Sequence, residues 1–182
     1  ISHLIELRDR LKWAVVFFFI SFCFCYYFAT DIYKFLVAPL YDIYIEKGIE
    51  NPRMIYTALT EAFFTFLKVS FYGALFISFP IIALQIYKFA APGLYKEEKK
   101  AFLPFLIATP VLFGSGAALV YYFIFPLAWR FFLGFQTSTI ESGMAIELEA
   151  KVNEYLSLVL KLMFAFGLAF QIPVALTLLS RA

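Results

Sequence analysis

Residues 89–100 read FAAPGLYKEEKK, a short polar interruption between two long apolar runs. Pro92 and Gly93 stop a helix and turn the chain, and five of the next seven residues are charged. A loop this small has room for a turn and a recognition surface. Before it, Val69 to Tyr87 is nineteen residues without a charge; after it, Ala101 to Trp129 is twenty-nine. Further out, Trp13 to Thr30 supplies eighteen uncharged residues and Leu162 to Ser180 nineteen. Each run reaches the roughly 20 residues that carry a helix across a bilayer core of about 30 Å. The expected fold is therefore an all-α integral membrane protein, a polytopic bundle with four transmembrane helices at about 13–30, 65–88, 101–129 and 155–180. The whole of 1–182 is read as one transmembrane domain. The third run is longer than a crossing needs and contains Pro104, Pro110 and Pro126 with Gly114 and Gly116, which predicts a tilted or kinked span.

Composition agrees. A chain that is 63% hydrophobic and 15% charged has too little polar side chain to cover a soluble globule, and its mean hydropathy is +0.84. A net charge of +2 gives no reason to expect nucleic acid. Cys23 and Cys25 lie one residue apart in an apolar run, where a helix points them to different sides, and His3 is the only histidine, so neither a disulfide nor a metal site is expected. No Walker loop, H-E-x-x-H or G-x-S-x-G is present, and no Asp or Glu falls within a span, so the chain does not read as an enzyme.

Charge distribution orients the spans. The amino-terminal segment (Arg8, Arg10, Lys12), the middle loop (Lys88, Lys96, Lys99, Lys100) and Arg181 carry eight basic residues, against five in the longer segments on the other side. The positive-inside rule then makes 1–12 and 88–100 cytoplasmic and 31–61 and 130–154 outer loops. The first outer loop, DIYKFLVAPLYDIYIEKG, suits a short helix at the interface with tyrosine anchors, and Ser138 to Gly143 reads as a turn. No internal repeat suggests an inverted-repeat transporter.

Polar groups at membrane depth are costly and mark candidate sites. Gln171 falls near the middle of the fourth span; it is either a polar contact inside a cavity or an amide bonded to a neighbouring helix, and Pro173 frees a carbonyl beside it. Lys68 and Lys161 lie close enough to the outer interface to snorkel, and Gln85 sits near the inner one. In the amino-terminal segment, if helical, Glu6 and Arg10 are i,i+4 partners, and Leu4, Leu7 and Leu11 form an apolar stripe. A second acidic pair, Glu97 and Glu98, falls on the same face of the membrane. Two carboxylate sites there could receive two cationic side chains, and arginine suits best because guanidinium binds carboxylate as a fork.

At these residues the chain resembles a known family. HLIELRDRL at His3 to Leu11, F-x-x-P-x-L-Y-x-x-E at Phe89 to Glu98 and AFG-x-x-F-x-x-P at Ala165 to Pro173 are similar, in order and spacing, to the TatC family, the signal-receptor subunit of the twin-arginine (Tat) protein translocase. Shorter echoes are YFA-x-DIY at Tyr27 to Tyr33, APL at Ala38 to Leu40, P-x-x-x-x-Q at Pro80 to Gln85 and FPLA at Phe125 to Ala128. The resemblance implies a cupped wall of helices with a concave face that binds twin-arginine signal peptides of folded precursor proteins. It implies transport driven by proton-motive force, with no cofactor, and partners that are single-span TatA and TatB type subunits, further TatC copies and the lipid bilayer. It places the protein in the bacterial cytoplasmic (inner) membrane, amino terminus cytoplasmic, or in an organellar membrane. Carried over by position, Glu6 and Glu98 engage the arginine pair, and Leu7, Arg8, Pro92, Leu94 and Tyr95 shape the site. The apolar part of the signal would enter the concave face towards Gln171.

Two departures stand out. Many members have glutamate where this chain has Gln171, which removes any role needing a buried carboxylate and leaves a hydrogen-bonding one. The family has six spans and this sequence carries four, which reads as an incomplete or truncated chain. The competing reading is a small-solute transporter or channel, which predicts a continuous polar stripe across several spans.

Overall fold

The structure, a computed structural model, describes residues 2–90, 99–135, 143–144 and 147–181. Their regular structure is helical, apart from one isolated bridge between Ile55 and Lys151. The helices are α1 (Ser2–Tyr27), α2 (Ala29–Glu46), α3 (Glu61–Ala90), α4 (Lys99–Leu119), α5 (Phe125–Leu133), α6 (Val152–Ala169) and α7 (Ile172–Arg181). A π-helical turn, Val120–Ile124, joins α4 to α5. Four helical stretches are long and apolar enough to cross a membrane: Ser2–Tyr27, Glu61–Ile86, Ile107–Leu133 and Val152–Thr177. Only 17–33% of the residues in their apolar windows are buried within the protein. Side chains such as Phe19, Phe24, Phe123 and Leu127 therefore face outward, as lipid-facing residues do. The fold is an all-α polytopic membrane bundle.

The first two spans, α1 and α3, run in opposite directions. Along α1 and α3, Arg10 meets Gln85 at one end and Cys25 abuts Gly73 towards the other, where a Cβ on Gly73 would stand 3.0 Å from the Cys25 sulfur. Cys25 is buried and Cys23 exposed, as expected for residues two apart on a helix. The charged amino-terminal segment and the first apolar run form one uninterrupted helix.

The third span breaks regularity where its prolines predict. Pro126 lacks the N–H that an α-helix would direct at Tyr122, and the chain answers with the wider π turn, in which the Phe125 N–H bonds Val120 O. In α2, Pro39 likewise cannot bond the carbonyl of Phe35. The helix continues through it because Tyr121 donates to that carbonyl at 2.6 Å, while buried Tyr155 donates to the next, Leu36, at 2.8 Å. These two tyrosines fix α2 against the other helices. Leu36, Leu40, Ile43 and Tyr44 of α2 join Phe125, Trp129 and Leu133 of α5 and Tyr155, Leu156 and Val159 of α6 in the core. Burial there pushes the Tyr44 hydroxyl above its ordinary pKa. The helix expected in this segment is present, and its apolar face is a structural part of the core.

α4 and α6 touch backbone to backbone. A Cβ on Gly116 would lie 2.6 Å from the Phe166 carbonyl oxygen, so only glycine permits this approach. Phe113 stacks on Phe79 at 4.2 Å beside the same crossing.

Candidate functional site

The amino-terminal turns of α1 present the first group of sequence-predicted residues. One helical turn separates Glu6 from Arg10, and the expected pair forms: Glu6 Oε1 accepts from Arg10 Nη2 at 2.7 Å and from Nε at 3.0 Å. Both side chains are half-buried, with 38% and 26% of their surface exposed. The third nitrogen, Nη1, donates to Gln85 Oε1 of α3 at 2.9 Å. Glu6 is thus tied through Arg10 to the neighbouring span. Arg8 points outward, 76% exposed, and makes a loose ion pair with Asp9 at 3.7 Å. Leu7 is partly covered, and Leu4 and Leu11 are exposed.

Electrostatically the end of α1 is mixed. Glu6 is compensated by a guanidinium that bonds only one of its oxygens; among the described residues Oε2 accepts no hydrogen bond. Among the described residues Arg8 is paired only loosely, with Asp9, and its guanidinium can meet an anion. A carboxylate held at this depth, with its neighbours fixed, can accept a further planar cation. The other members of the predicted site, Pro92, Leu94, Tyr95 and Glu98, together with Glu97, lie outside the described residues.

Gln171 lies where the fourth span is broken, between α6 and α7. Pro173 cannot donate to the Ala169 carbonyl, and the helix turns at Phe170 and Gln171 before resuming. The Gln171 side chain is buried and its Nε2 donates to the Thr109 carbonyl of α4 at 2.8 Å. Its Oε1 is buried without a hydrogen-bond partner among the described residues. Of the two readings open in the sequence, the geometry realises the helix-to-helix bond and leaves one acceptor unsatisfied. Lys68 donates to Asn153 Oδ1 at 3.0 Å and Ser157 Oγ at 2.8 Å, joining α3 to α6, whereas Lys161 is exposed. These polar groups are engaged locally and do not line up as a stripe.

Gln85, which the sequence places only near the inner interface, accepts from Arg10 and so connects α1 to α3. Its only signal was its place near the charged end of an otherwise apolar helix. Elsewhere, a cavity of about 560 Å³ opens between the α2–α3 connection and the segment before α6, with Lys47, Arg53, Glu147 and Glu149 on its walls. Among the described residues no three His, Cys, Asp or Glu side chains are grouped to hold a metal ion.

Comparison with known proteins places these features in context. A family model described as Sec-independent protein translocase protein (TatC) matches residues 2–182. The Sec-independent protein translocase protein TatC of Magnetococcus marinus is 50% identical over 182 residues, covering 100% of this chain and 64% of that protein. Its counterpart in Rickettsia prowazekii is 45% identical over 179 residues, 98% of this chain and 69% of that one. The Escherichia coli K12 protein is 38% identical, with 98% and 66% covered. The chain thus spans about two thirds of the length of these relatives. A crystal structure of the twin arginine translocase receptor TatC in DDM superposes with a TM-score of 0.81 at 35% identity, covering 98% of this chain and 76% of that one.

Proposed function

Because this chain belongs to the Sec-independent protein translocase protein (TatC) family, we propose that it is the signal-recognising part of a twin-arginine translocase core subunit. It binds the paired arginines of signal peptides on folded precursors, with Glu6 and Glu98 as the two carboxylates and Leu7, Arg8, Pro92, Leu94 and Tyr95 shaping the surface around them. The apolar part of the signal passes towards Gln171 along a concave face of the helix wall. TatA and TatB type subunits and further copies of the chain complete the translocase, which proton-motive force drives. The protein sits in the bacterial cytoplasmic membrane with its amino terminus in the cytoplasm.

The observation that carries this reading is the Glu6 carboxylate. It stands half-buried at the start of the first span, already in a geometry that accepts a guanidinium, with a second oxygen that accepts no hydrogen bond among the described residues. A protein that only needed a solvated amino-terminal helix would have no use for a carboxylate braced against the next span. The transporter reading is disfavoured by the polar groups at membrane depth: Lys68 is bonded to Asn153 and Ser157, and the Gln171 Nε2 to the Thr109 carbonyl, so these donors are engaged between helices and not arrayed along a path.

The test is binding of a twin-arginine signal peptide to the full-length protein in lipid nanodiscs. Glu6→Gln and Glu98→Gln should each weaken binding about tenfold or more, the scale of a charge-assisted fork, and Glu97→Gln should weaken it much less. Equal losses for Glu97 and Glu98 would show that local charge, not a site, does the binding.

A further inference from the structure

The Glu6 carboxylate already holds a guanidinium. Two nitrogens of Arg10 converge on its Oε1, and the third is taken by the Gln85 amide oxygen of α3. The contact expected for an incoming signal arginine therefore exists beforehand, made from within the chain. Resting on the assignment of Glu6 to the signal arginines, we propose that Arg10 is an internal occupant of the site. A signal guanidinium exchanges with it at Glu6, and Gln85 holds the displaced side chain.

Three observations support exchange. Glu6 and Arg10 are 38% and 26% exposed, so a newcomer can reach the pair without unpacking the helices. Oε2, which accepts no hydrogen bond among the described residues, offers a first foothold before Oε1 is vacated. Gln85 contributes an uncharged acceptor on a different helix, so Arg10 keeps one bond while it gives up two. Because one guanidinium leaves as another arrives, the half-buried carboxylate is compensated throughout, and the cost of an unpaired charge is avoided.

Exchange also sets how strong a contact must be to bind. Guanidinium is weakly hydrated and donates in a planar fork, whereas the lysine ammonium is a strongly hydrated point charge. A lysine signal would have to dislodge a doubly bonded guanidinium and replace it with fewer bonds. Displacing the resident arginine costs the same for either newcomer, so it lowers both apparent affinities by one factor and raises a threshold that the weaker lysine contact does not clear, while the preference itself comes from the bonds each makes to Glu6. Arg10 and Gln85 are positioning residues in this scheme, since they act through Glu6.

The experiment measures binding of an Arg-Arg signal peptide and its Lys-Lys twin to full-length protein in nanodiscs, for wild type, Arg10→Gln, Arg10→Lys, Gln85→Leu and the Arg10→Gln/Gln85→Leu double variant. Thermal unfolding of each confirms that it is folded. With Arg10→Gln, Arg-Arg and Lys-Lys binding should both strengthen about tenfold, because the same resident is removed from the path of each. Arg10→Lys should fall between. Gln85→Leu should weaken Arg-Arg binding when Arg10 is present and do nothing in the Arg10→Gln background, where no displaced guanidinium needs a partner. If Arg10→Gln weakens binding of the peptides or leaves it unchanged, or Gln85→Leu acts equally in both backgrounds, Arg10 and Gln85 only brace Glu6 and exchange is wrong. If Glu6→Gln leaves Arg-Arg binding intact, the binding site itself has been misassigned and exchange falls with it; loss of binding there with the preceding result sinks exchange alone.

Discussion

Replacing Gly116 by alanine tests the crossing on which the α4–α6 wall is built. The added Cβ would stand 2.6 Å from the Phe166 carbonyl oxygen, 3.0 Å from its carbon and 3.1 Å from the Gly167 Cα. All three are backbone atoms and cannot rotate away. Carbon and oxygen normally approach to about 3.3 Å, so the helices must part by about 0.7 Å. That parting also disturbs Phe113, which lies against Gly167 and stacks on Phe79. Overpacking of this kind costs about 1–3 kcal/mol, and the backbone contact puts it towards the upper end. Alanine's better helix propensity returns up to about 1 kcal/mol, leaving a net loss of about 1–2 kcal/mol. Gly114 is the control: two residues earlier on the same helix, it is exposed, and a Cβ there meets nothing within 4 Å. Gly114→Ala should be neutral or slightly stabilising. Thermal unfolding of the two full-length variants in detergent measures the difference directly. Equal midpoints, or a lower one for Gly114→Ala, would refute the close crossing.

Three further outcomes follow from the same geometry. Tyr155→Phe deletes the bond to the Leu36 carbonyl inside the core and should cost about 1–2 kcal/mol in unfolding experiments, more than Tyr121→Phe, whose hydroxyl is less enclosed. Lys68→Met should destabilise by about 1 kcal/mol because Asn153 and Ser157 lose their donor, while Lys161→Leu, at an exposed position, should leave the unfolding midpoint unchanged. Gln171→Leu should destabilise by about 1 kcal/mol through loss of the Thr109 bond and should hinder deep insertion of a signal peptide without weakening arginine capture; crosslinking at both depths distinguishes this from a purely structural role, in which capture would fall too.

Much of the architecture was legible because bilayer thickness converts directly into run length: four uncharged runs gave four helices with the apolar length to cross. The Glu6–Arg10 pair was legible because i,i+4 spacing is local. Pro126 announced a break in the third span, though not that a π turn would make it. The continuity of α2 through Pro39 was hidden, since it depends on Tyr121 and Tyr155, far away in sequence, reaching the carbonyls near it. The bond from Arg10 to Gln85 was hidden for the same reason: the two residues are 75 positions apart, and their meeting needs the relative rotation of two helices, which no periodicity encodes. Gln171 showed its burial through its apolar neighbours but not its partner, because the break between α6 and α7 re-aims the amide. The Pro92 loop, read as half of the recognition surface, lies outside the described residues and rests on its motif.

The measurement that bears most directly on signal recognition is site-specific photocrosslinking from position 98 of the full-length protein in native membranes. It is offered a precursor with an Arg-Arg signal and its Lys-Lys twin, which keep the same charge but differ in the fork. A receptor built on guanidinium recognition gives crosslinks to the Arg-Arg precursor alone, and these disappear with Glu6→Gln. Equal crosslinks to both precursors, or none to either, would contradict the receptor reading and leave the membrane fold without its proposed ligand.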